Sequence, residues 1–418
     1  MNTPEIHKLK NGITLLFVPK KETKIIDVIF SFRIGSRYED AAKSGISHFY
    51  EHMMFDGTKN RPTANAIAKE VDVMGAAFNG HTSDEYTTYA ISASENYLPK
   101  AIEILGDMIS NSLLSEKDIS KEKNVISEEI KMYQDMPGEY VVDIYDQAIF
   151  NGDPLSRNVI GNYETIKSVC REDLKTFKAK FYIGQNCFIG LGGNFEKFSK
   201  DEIIALIEKY LVIGSGRKTD IFPAKVLQIK ENSLIKNTAQ TNLMIGFLGP
   251  AYGSEEYEAF RTMAVILGGN MSSRMFNKIR EELELAYDIR TEANSTTTIG
   301  TISTQAGVPN EKLVEAVEAI RSEYERIKTD MMPEEVEKAK AYQIGQLKLS
   351  TENSYNMTYL ILRYYFTTGE LITVDEFIDK INSVTFENVK KVANKYLISD
   401  KMTIAAIGPK AAISKSNN

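Results

Sequence analysis

Two histidines and a glutamate within one short stretch constrain this chain more than any other feature of its sequence. The stretch SGISHFYEHMMFDGT places His48, Glu51 and His52 at positions i, i+3 and i+4. Its pattern predicts an amphipathic helix with Ser44 or Ser47 as its cap. On such a helix the three side chains share one face. Two imidazoles one turn apart can bind the same metal ion, and a carboxylate beside them can take a proton from a metal-bound water.

The competing interpretation of this motif is a pair of histidines packed on an ordinary core helix. The whole chain contains four histidines in 418 residues. A chance match to H-x-x-E-H is therefore expected about a hundredth of a time in a chain of this size. The rarity of the match favours the metal site.

The composition of the chain excludes several classes of protein. The hydrophobic fraction of 43% and the charged fraction of 26% are ordinary for a globular protein. The net charge of −7 argues against a nucleic-acid partner. No apolar run approaches the roughly 18 residues of a membrane span, and the N-terminus lacks the apolar core of a signal peptide. Two cysteines, Cys170 and Cys187, make no disulfide framework and are expected to be buried thiols, so a cytoplasmic location is predicted.

The sequence pattern of the first half begins again in the second half. Phe32, in a predicted strand, and Phe247 lie 215 positions apart, and the same offset separates Gly193 from Gly408. One offset at both ends indicates an internal duplication, and the alternative is a coincidence of two common strand patterns. Runs of strands followed by runs of helices are typical of the α+β class.

We therefore predict two homologous domains of about 200 residues, each an antiparallel-rich β-sheet flanked by helices. The first domain covers residues 1–211, a linker with Gly-Ser-Gly and a proline covers 212–225, and the second domain covers 226–418. At the 215-residue offset, the metal motif is replaced by Met263, Ile266 and Leu267. The second copy keeps the scaffold without the chemistry, so one metal site per chain is expected.

A catalytic zinc held by two histidines needs a third protein ligand. The predicted helix 116–133 offers Glu122, Glu128 and Glu129. Glu122 and Glu129 are seven positions apart and share one face, which suits a ligand and a carboxylate that orients a ligand histidine. Spacing alone does not rank Glu129 above Glu128, because charged helix faces are usually solvated surface.

Several motifs together resemble the pitrilysin-type zinc peptidases. They are GISHFYEHMMFDGT, the following GAAFNG with Thr82 and Ser83, and the pair Glu122 and Glu129. That family includes insulin-degrading enzymes and mitochondrial processing peptidases, and the length and duplication resemble its short bacterial and processing-peptidase branch. The resemblance covers essentially the whole chain. It implies a zinc endopeptidase that cleaves peptides or unfolded, presequence-like segments, and a chain that forms half of a clamshell.

The resemblance also assigns roles around the metal. It implies that His48 and His52 bind one Zn²⁺ per chain, that Glu129 is the third protein ligand, and that Glu122 supports a ligand histidine. Glu51 becomes the general base that takes a proton from the attacking water.

Further residues match the parts of the family that contact substrate. Asn79 and Gly80 match a strand that pairs with an extended peptide, and His81 either lines the same cleft or is an ordinary loop histidine. Glu139 and Asp143 match an acidic pair that accepts a substrate arginine, although an acidic first turn is what any helix prefers.

The second half contributes its own signature to the resemblance, GGNMSSRMF followed by Arg280 and Tyr287. These two residues match an arginine and a tyrosine that contact the substrate and the tetrahedral intermediate, and the alternative is a structural salt bridge and a packed tyrosine. We expect a homodimer in which they face the zinc of the other protomer. The alternatives are a catalytic subunit paired with an inactive homologous chain and, less in keeping with the intact motif, a non-catalytic scaffold subunit.

Overall fold

The fold is seen in a computed structural model that describes residues 3–409. The described residues form two compact units. The first unit comprises the described residues up to Ile130, Asn158–Asp220 and Lys348–Val374. The second comprises Lys131–Arg157, Ile221–Leu347 and the described residues from Asp375 onwards. Each unit combines one β-sheet with helices, which confirms the predicted two-domain α+β class.

The first unit contains a six-stranded sheet. Its strands are β1 (Glu5–Lys8), β2 (Thr14–Pro19), β3 (Ile25–Phe32), β4 (Ala77–Thr82), β5 (Thr87–Ser94) and β6 (Cys187–Gly193). Their order is β1-β2-β6-β3-β5-β4, and all neighbours are antiparallel except the parallel pair β2 and β6. Strand β4 therefore lies at one edge, where a further extended strand could pair with it.

The first half of the sequence also contains eight α-helices within the described residues. They are α1 (Ile46–Phe55), α2 (Ala64–Val73), α3 (Leu98–Asn111), α4 (Glu116–Gln134), α5 (Pro137–Ile149), α6 (Tyr163–Ser168), α7 (Arg171–Phe181) and α8 (Lys200–Tyr210). Helix α3 packs against β3 and β5, and α1 packs against β4 and β5. The metal motif is thus carried by a helix that lies against the edge of the sheet.

The second unit repeats this architecture with five strands. They are β7 (Glu231–Ile235), β8 (Thr241–Gly249), β9 (Asp288–Ser295), β10 (Gly300–Val308) and β11 (Thr403–Gly408), in the order β7-β11-β8-β10-β9. The helices of the second half are α9 (Tyr257–Gly268), α10 (Leu313–Asp330), α11 (Pro333–Thr351), α12 (Ser354–Thr368), α13 (Val374–Asn382) and α14 (Phe386–Tyr396), with a π-helix at Phe276–Glu282. None of the helices in residues 3–409 combines the length and the apolar character that a membrane crossing needs.

The predicted duplication is visible in this element order. Strands β2, β6, β3, β5 and β4 have the counterparts β7, β11, β8, β10 and β9 in the same spatial order, with one parallel pair at the same place. Helices α7 and α14 both contain eleven residues and begin 215 positions apart. The offset inferred from sequence therefore relates whole elements and not only isolated residues.

Each half of the sequence contributes one helix to the compact unit formed mainly by the other half. Helix α5, from the first half of the sequence, packs against β8 and β11 in the second unit. Its counterpart α12, from the second half, packs against β3 and β6 in the first unit. Each sheet is thus covered by one helix from the other half of the chain. The sequence boundaries at residues 211 and 226 stay a prediction, and the stretch between α8 and β7 contains no helix or strand.

The exchanged helices meet their sheets through different side chains. Helix α12 lies so close to β6 that a Cβ on Gly192 would overlap the Thr358 hydroxyl. Helix α5 instead packs against Ala405 and Ile407 of β11, which join a buried apolar cluster with Tyr145. Glycine permits a closer approach of helix to strand on the first sheet, and larger side chains fill the space on the second.

Candidate active site

Helix α1 begins without the serine cap that was predicted for it. Its N-cap is Gly45, at φ 90°, and neither Ser44 nor Ser47 caps it with a side chain. The carboxylate of Glu39 accepts hydrogen bonds from the backbone N–H of Gly45 at 2.8 Å and of Ser47 at 2.7 Å. The serine-cap prediction is wrong because a negative charge six residues upstream satisfies these amides and suits the positive end of the helix dipole.

The metal motif faces helix α4 in a largely buried setting. His48 and Glu51 are 9% and 7% exposed. The Nε2 atoms of His48 and His52 lie 3.8 Å and 3.7 Å from the same atom, Oε2 of Glu129. Two ligand atoms about 2.1 Å from one tetrahedral zinc are separated by about 3.4 Å. The three side chains are therefore already close to the spacing that a shared zinc ion requires, and they form a potential metal cluster in the described chain.

The hydrogen bonding of Glu129 and the protonation of His48 suit the binding of a metal ion. Oε2 of Glu129 is buried and has no hydrogen-bond partner among the described residues. A buried carboxylate oxygen without a partner is costly, and a cation would satisfy it. Burial also lowers the pKa of His48 to about 3, with the neighbouring His52 acting in the same direction, so the His48 ring stays neutral. A neutral imidazole and a carboxylate are the donor set that zinc takes.

Glu122 on α4 contacts the second histidine of the motif. Its Oε2 lies 2.9 Å from Nδ1 of His52, and its Oε1 lies 2.9 Å from the ammonium of Lys121. Burial favours the neutral acid, but hydrogen bonds from His52 and Lys121 outweigh it and lower the pKa of Glu122. An ionised carboxylate can only accept, so Nδ1 of His52 carries a proton and Nε2 is the ring nitrogen that faces Glu129. Lys121 also pairs with Asp56 at 2.8 Å.

Glu51 is held beside the cluster by strand β4. The hydroxyl of Thr82 donates a hydrogen bond to Oε2 of Glu51 at 2.6 Å. Burial raises the pKa of Glu51, and the Thr82 hydrogen bond opposes this shift. A carboxyl whose proton affinity is raised is suited to take up a proton and to return it.

The predicted substrate strand is the edge strand of the first sheet. Asn79 is exposed on β4, and Gly80 and His81 are half-buried. Nε2 of His81 lies 3.1 Å from the hydroxyl of Tyr359, which in turn lies 2.7 Å from the hydroxyl of Tyr86. Tyr359 is on the exchanged helix α12. A residue from the second half of the sequence is therefore part of the support of β4.

The remaining predicted residues lie in the second compact unit. Arg280 is in the π-helix, with its guanidinium 4.6 Å from the ring centre of Phe276 and 5.3 Å from that of Tyr287. Tyr287 is 82% exposed, so it is not a packed core tyrosine. Glu139 is exposed and Asp143 is half-buried on α5. The unit that contains the histidine cluster contains none of these predicted side chains.

Sequence reasoning missed several residues that the structure places at or near the site. Thr82 was visible only as part of a motif, and Lys121 and Glu39 resembled ordinary surface charges. Tyr359 is 278 positions from His81 and carried no signal in the sequence. One cysteine also differs from expectation, because Cys170 is exposed at the start of α7 whereas Cys187 is buried.

A His-His-Glu cluster with an adjacent glutamate, on a duplicated α+β scaffold, defines a zinc peptidase of the inverted H-x-x-E-H class. Comparison with known proteins agrees with this class. The model of the insulinase family, peptidase family M16, matches residues 16–162, and that of the peptidase M16 inactive domain matches residues 168–342. The chain belongs to peptidase family M16. The predicted resemblance and its class, a zinc metallopeptidase, are thereby confirmed.

Relatives and solved structures extend over nearly the whole chain. A protein of Rickettsia bellii named "Uncharacterized zinc protease" is 32% identical over 407 residues, which are 97% of each chain. The protein of Bacillus subtilis named "Uncharacterized zinc protease YmxG" is 30% identical, over 96% of this chain and 97% of that one. The crystal structure of a protease from Helicobacter pylori has a TM-score of 0.89 at 22% identity, over 97% of this chain and 99% of that one. A chain of Complex III2 from Candida albicans has a TM-score of 0.87 at 20% identity, over 99% and 98%. These two structures show the shared fold.

Proposed function

We propose that this chain is a zinc endopeptidase that cleaves peptides or unfolded, presequence-like segments inside a dimeric chamber. The observation that carries the proposal is the convergence of two histidine nitrogens on the unpartnered Oε2 of Glu129, with Glu51 on the same helix face. His48, His52 and Glu129 hold the metal, and Glu122 fixes the ring of His52. Zinc bound there would polarise the scissile carbonyl and acidify the attacking water.

Glu51 acts as the general base and then as the general acid. It takes the proton from the attacking water and passes it to the leaving amine. Its burial beside the cluster and its raised proton affinity support both steps. The edge strand β4 binds the substrate backbone through main-chain hydrogen bonds from Asn79, Gly80 and His81, and this kind of binding reads shape more than sequence.

The second half completes the site in this proposal. Arg280 and Tyr287 contact the substrate and the developing oxyanion, and the exposure of Tyr287 supports a role outside the core. Glu139 and Asp143 accept a basic substrate side chain. In the proposed homodimer, these residues of one protomer serve the zinc of the other. The proposed sequence domains are 1–211 and 226–418, and the proposed location is the cytoplasm, which the absence of a disulfide framework supports.

Substitution of Glu51 by glutamine tests the catalytic proposal. We expect Glu51→Gln to keep one zinc per chain and to lose turnover of a peptide library, because the amide cannot take the proton. Glu128→Gln is the matched control, since Glu128 is exposed on α4 next to the ligand Glu129. Full activity of Glu51→Gln would reject the assignment.

Mixing two inactive variants tests the assembly. If subunits exchange, Glu51→Gln and Arg280→Ala together should regain part of the lost turnover, because one of the two sites in a mixed dimer is intact. Failure to regain activity after demonstrated exchange argues against the trans arrangement. The alternative, a catalytic subunit with an inactive homologous partner, predicts a purified chain that binds zinc and cleaves only after a second chain is added.

A further inference from the structure

The inner face of strand β4 is built around the carboxylate of Glu51. Side chains alternate along a strand, so Phe78, Gly80 and Thr82 point to the same face. The ring of Phe78 lies 4.9 Å from that of Phe55 at the end of α1. Glu51 lies one helical turn before Phe55 on α1, and its carboxylate accepts a hydrogen bond from the hydroxyl of Thr82. This face of the strand is therefore the surface against which the helix of the metal motif is placed.

Thr82 is the single hydrogen-bond donor to the Glu51 carboxylate among the described residues. A threonine hydroxyl has one proton to give, and the 2.6 Å bond directs that proton to Oε2. Thr82 is itself fixed by its pairing with Thr87 of β5. A donor on a paired strand of the sheet holds an orientation better than a donor on a mobile loop.

The other oxygen of Glu51 faces a position without a side chain. A Cβ built on Gly80 would lie 3.1 Å from Oε1 of Glu51 and 2.9 Å from the ring of Phe55. Gly80 has no positive φ, so its backbone conformation does not require glycine. The absence of a side chain at Gly80 leaves space for Oε1, which a Cβ at this position would crowd.

We propose that Thr82 is a positioning residue for the general base and that it selects Oε1 as the oxygen that accepts the proton. The inference rests on the proposed peptidase function and adds to it a residue that touches neither substrate nor metal. In this step an O–H bond of the attacking water breaks and an O–H bond to Oε1 forms. The electron pair left on the water oxygen forms the new bond to the carbonyl carbon, while the π bond of the carbonyl breaks and its electron pair moves onto the carbonyl oxygen. The bond from Thr82 keeps Oε2 an acceptor throughout.

The test compares Thr82→Val with Thr82→Ser in the full-length protein loaded with zinc. The probe is an internally quenched peptide that the unaltered protein cleaves. We expect Thr82→Val to lower kcat about 10- to 100-fold, since part of the general-base contribution is lost. KM should stay within about twofold and the zinc content should stay unchanged, because Thr82 touches neither substrate nor ligand. Thr82→Ser restores the hydroxyl and should return kcat to within about threefold of the unaltered protein.

A matched control separates positioning from general damage to the sheet. Thr88 of β5 is buried and bonds through its hydroxyl to Ser31 at 2.7 Å, away from the carboxylate. Thr88→Val should leave kcat unchanged. A structure of the Thr82→Val protein gives a readout apart from activity, and it should show the Glu51 carboxylate rotated from its place beside β4. Thr82→Val added to Glu51→Gln should cause no further loss.

The possible outcomes distinguish this inference from the proposed function. If Glu51→Gln is inactive while Thr82→Val keeps the kcat of the unaltered protein, the positioning role is rejected and the peptidase assignment stands. Equal impairment of the valine and serine variants, or loss of zinc from Thr82→Val, also rejects the positioning role. Full turnover by Glu51→Gln, or no cleavage by the unaltered zinc protein, overturns the proposed function and the inference with it.

Discussion

Helices α1 and α9 occupy equivalent places in the two halves of the chain, and they differ in what their equivalent faces carry. On α1 the positions of the motif hold two histidines and a glutamate. On α9 they hold Met263, Ile266 and Leu267, all buried in the apolar core of the second unit. The equivalent helix face in the second unit is therefore packed with apolar residues instead of metal-ligating ones. A buried carboxylate oxygen without a partner, such as Oε2 of Glu129, is unfavourable for folding, so its place between two histidines points to chemistry.

The largest effect is expected when a histidine of α1 is replaced by the residue found at the equivalent position of α9. His52→Leu places at the site the leucine found at the equivalent position 267. Two ligands instead of three should abolish stoichiometric zinc binding and with it turnover. Metal analysis of the purified protein and a peptide digest measure both effects. His7→Leu, at an exposed position on β1, is the control that should keep zinc. Retention of one zinc by His52→Leu would remove His52 from the ligand set.

A smaller effect separates two glutamates on the corresponding helices α4 and α11. Glu122 on α4 is buried against His52, whereas the side chain of Glu337 on the corresponding helix α11 is 71% exposed and pairs with Lys340. We expect Glu122→Gln to lower zinc affinity about 10- to 100-fold, because the amide holds the ring of His52 less well. Competition with a chelator measures this affinity. Glu337→Gln should leave it unchanged, and equal losses in both variants would contradict the role of Glu122.

The helical part of the site could be read from the sequence because its geometry is local. Residues at i, i+3 and i+4 on one helix share a face wherever that helix is packed. The choice of Glu129 over Glu128 needed the family resemblance, since spacing left both open. In the structure Glu129 approaches the histidines and Glu128 is exposed.

The parts of the fold that the sequence left open are non-local. Amphipathic periodicity in α5 and α12 indicates that each helix has a buried face, but not which sheet covers it. The sequence periodicity therefore could not predict that each of these helices packs on the sheet of the other half of the chain. The same limit applies to Tyr359, whose partners His81 and Tyr86 belong to the other half of the chain.

The exchanged helices provide a prediction for stability. Gly192→Ala should lower the free energy of unfolding by about 1–3 kcal/mol, because the new methyl group overlaps Thr358 on α12. Denaturant unfolding followed by circular dichroism measures the change. Gly345→Ala is the opposite control. It lies within α11 with open space around its Cβ position, so it should stabilise by about 0.5–1 kcal/mol. A neutral Gly192→Ala would mean that α12 can move away from β6 at no cost.

The smallest expected effect concerns the tyrosine by which α12 reaches the substrate strand. This residue is Tyr359, whereas the residues of α5 that pack on the second sheet form a mainly apolar cluster. Tyr359→Phe removes the hydroxyl that bonds His81 and Tyr86, and one such bond contributes about 0.5–1.5 kcal/mol.

If that contribution fixes the edge strand β4 for substrate pairing, the Tyr359→Phe variant should show a KM raised about two- to tenfold with kcat nearly unchanged. The control is Tyr355→Phe, since the ring of Tyr355 stacks on that of Tyr359 at 6.0 Å. This control should keep the KM of the unaltered protein. A rise in KM shared by both variants would assign the effect to packing of the two rings. A fall in kcat without a rise in KM would place Tyr359 in the support of Glu51 and not in that of the substrate strand.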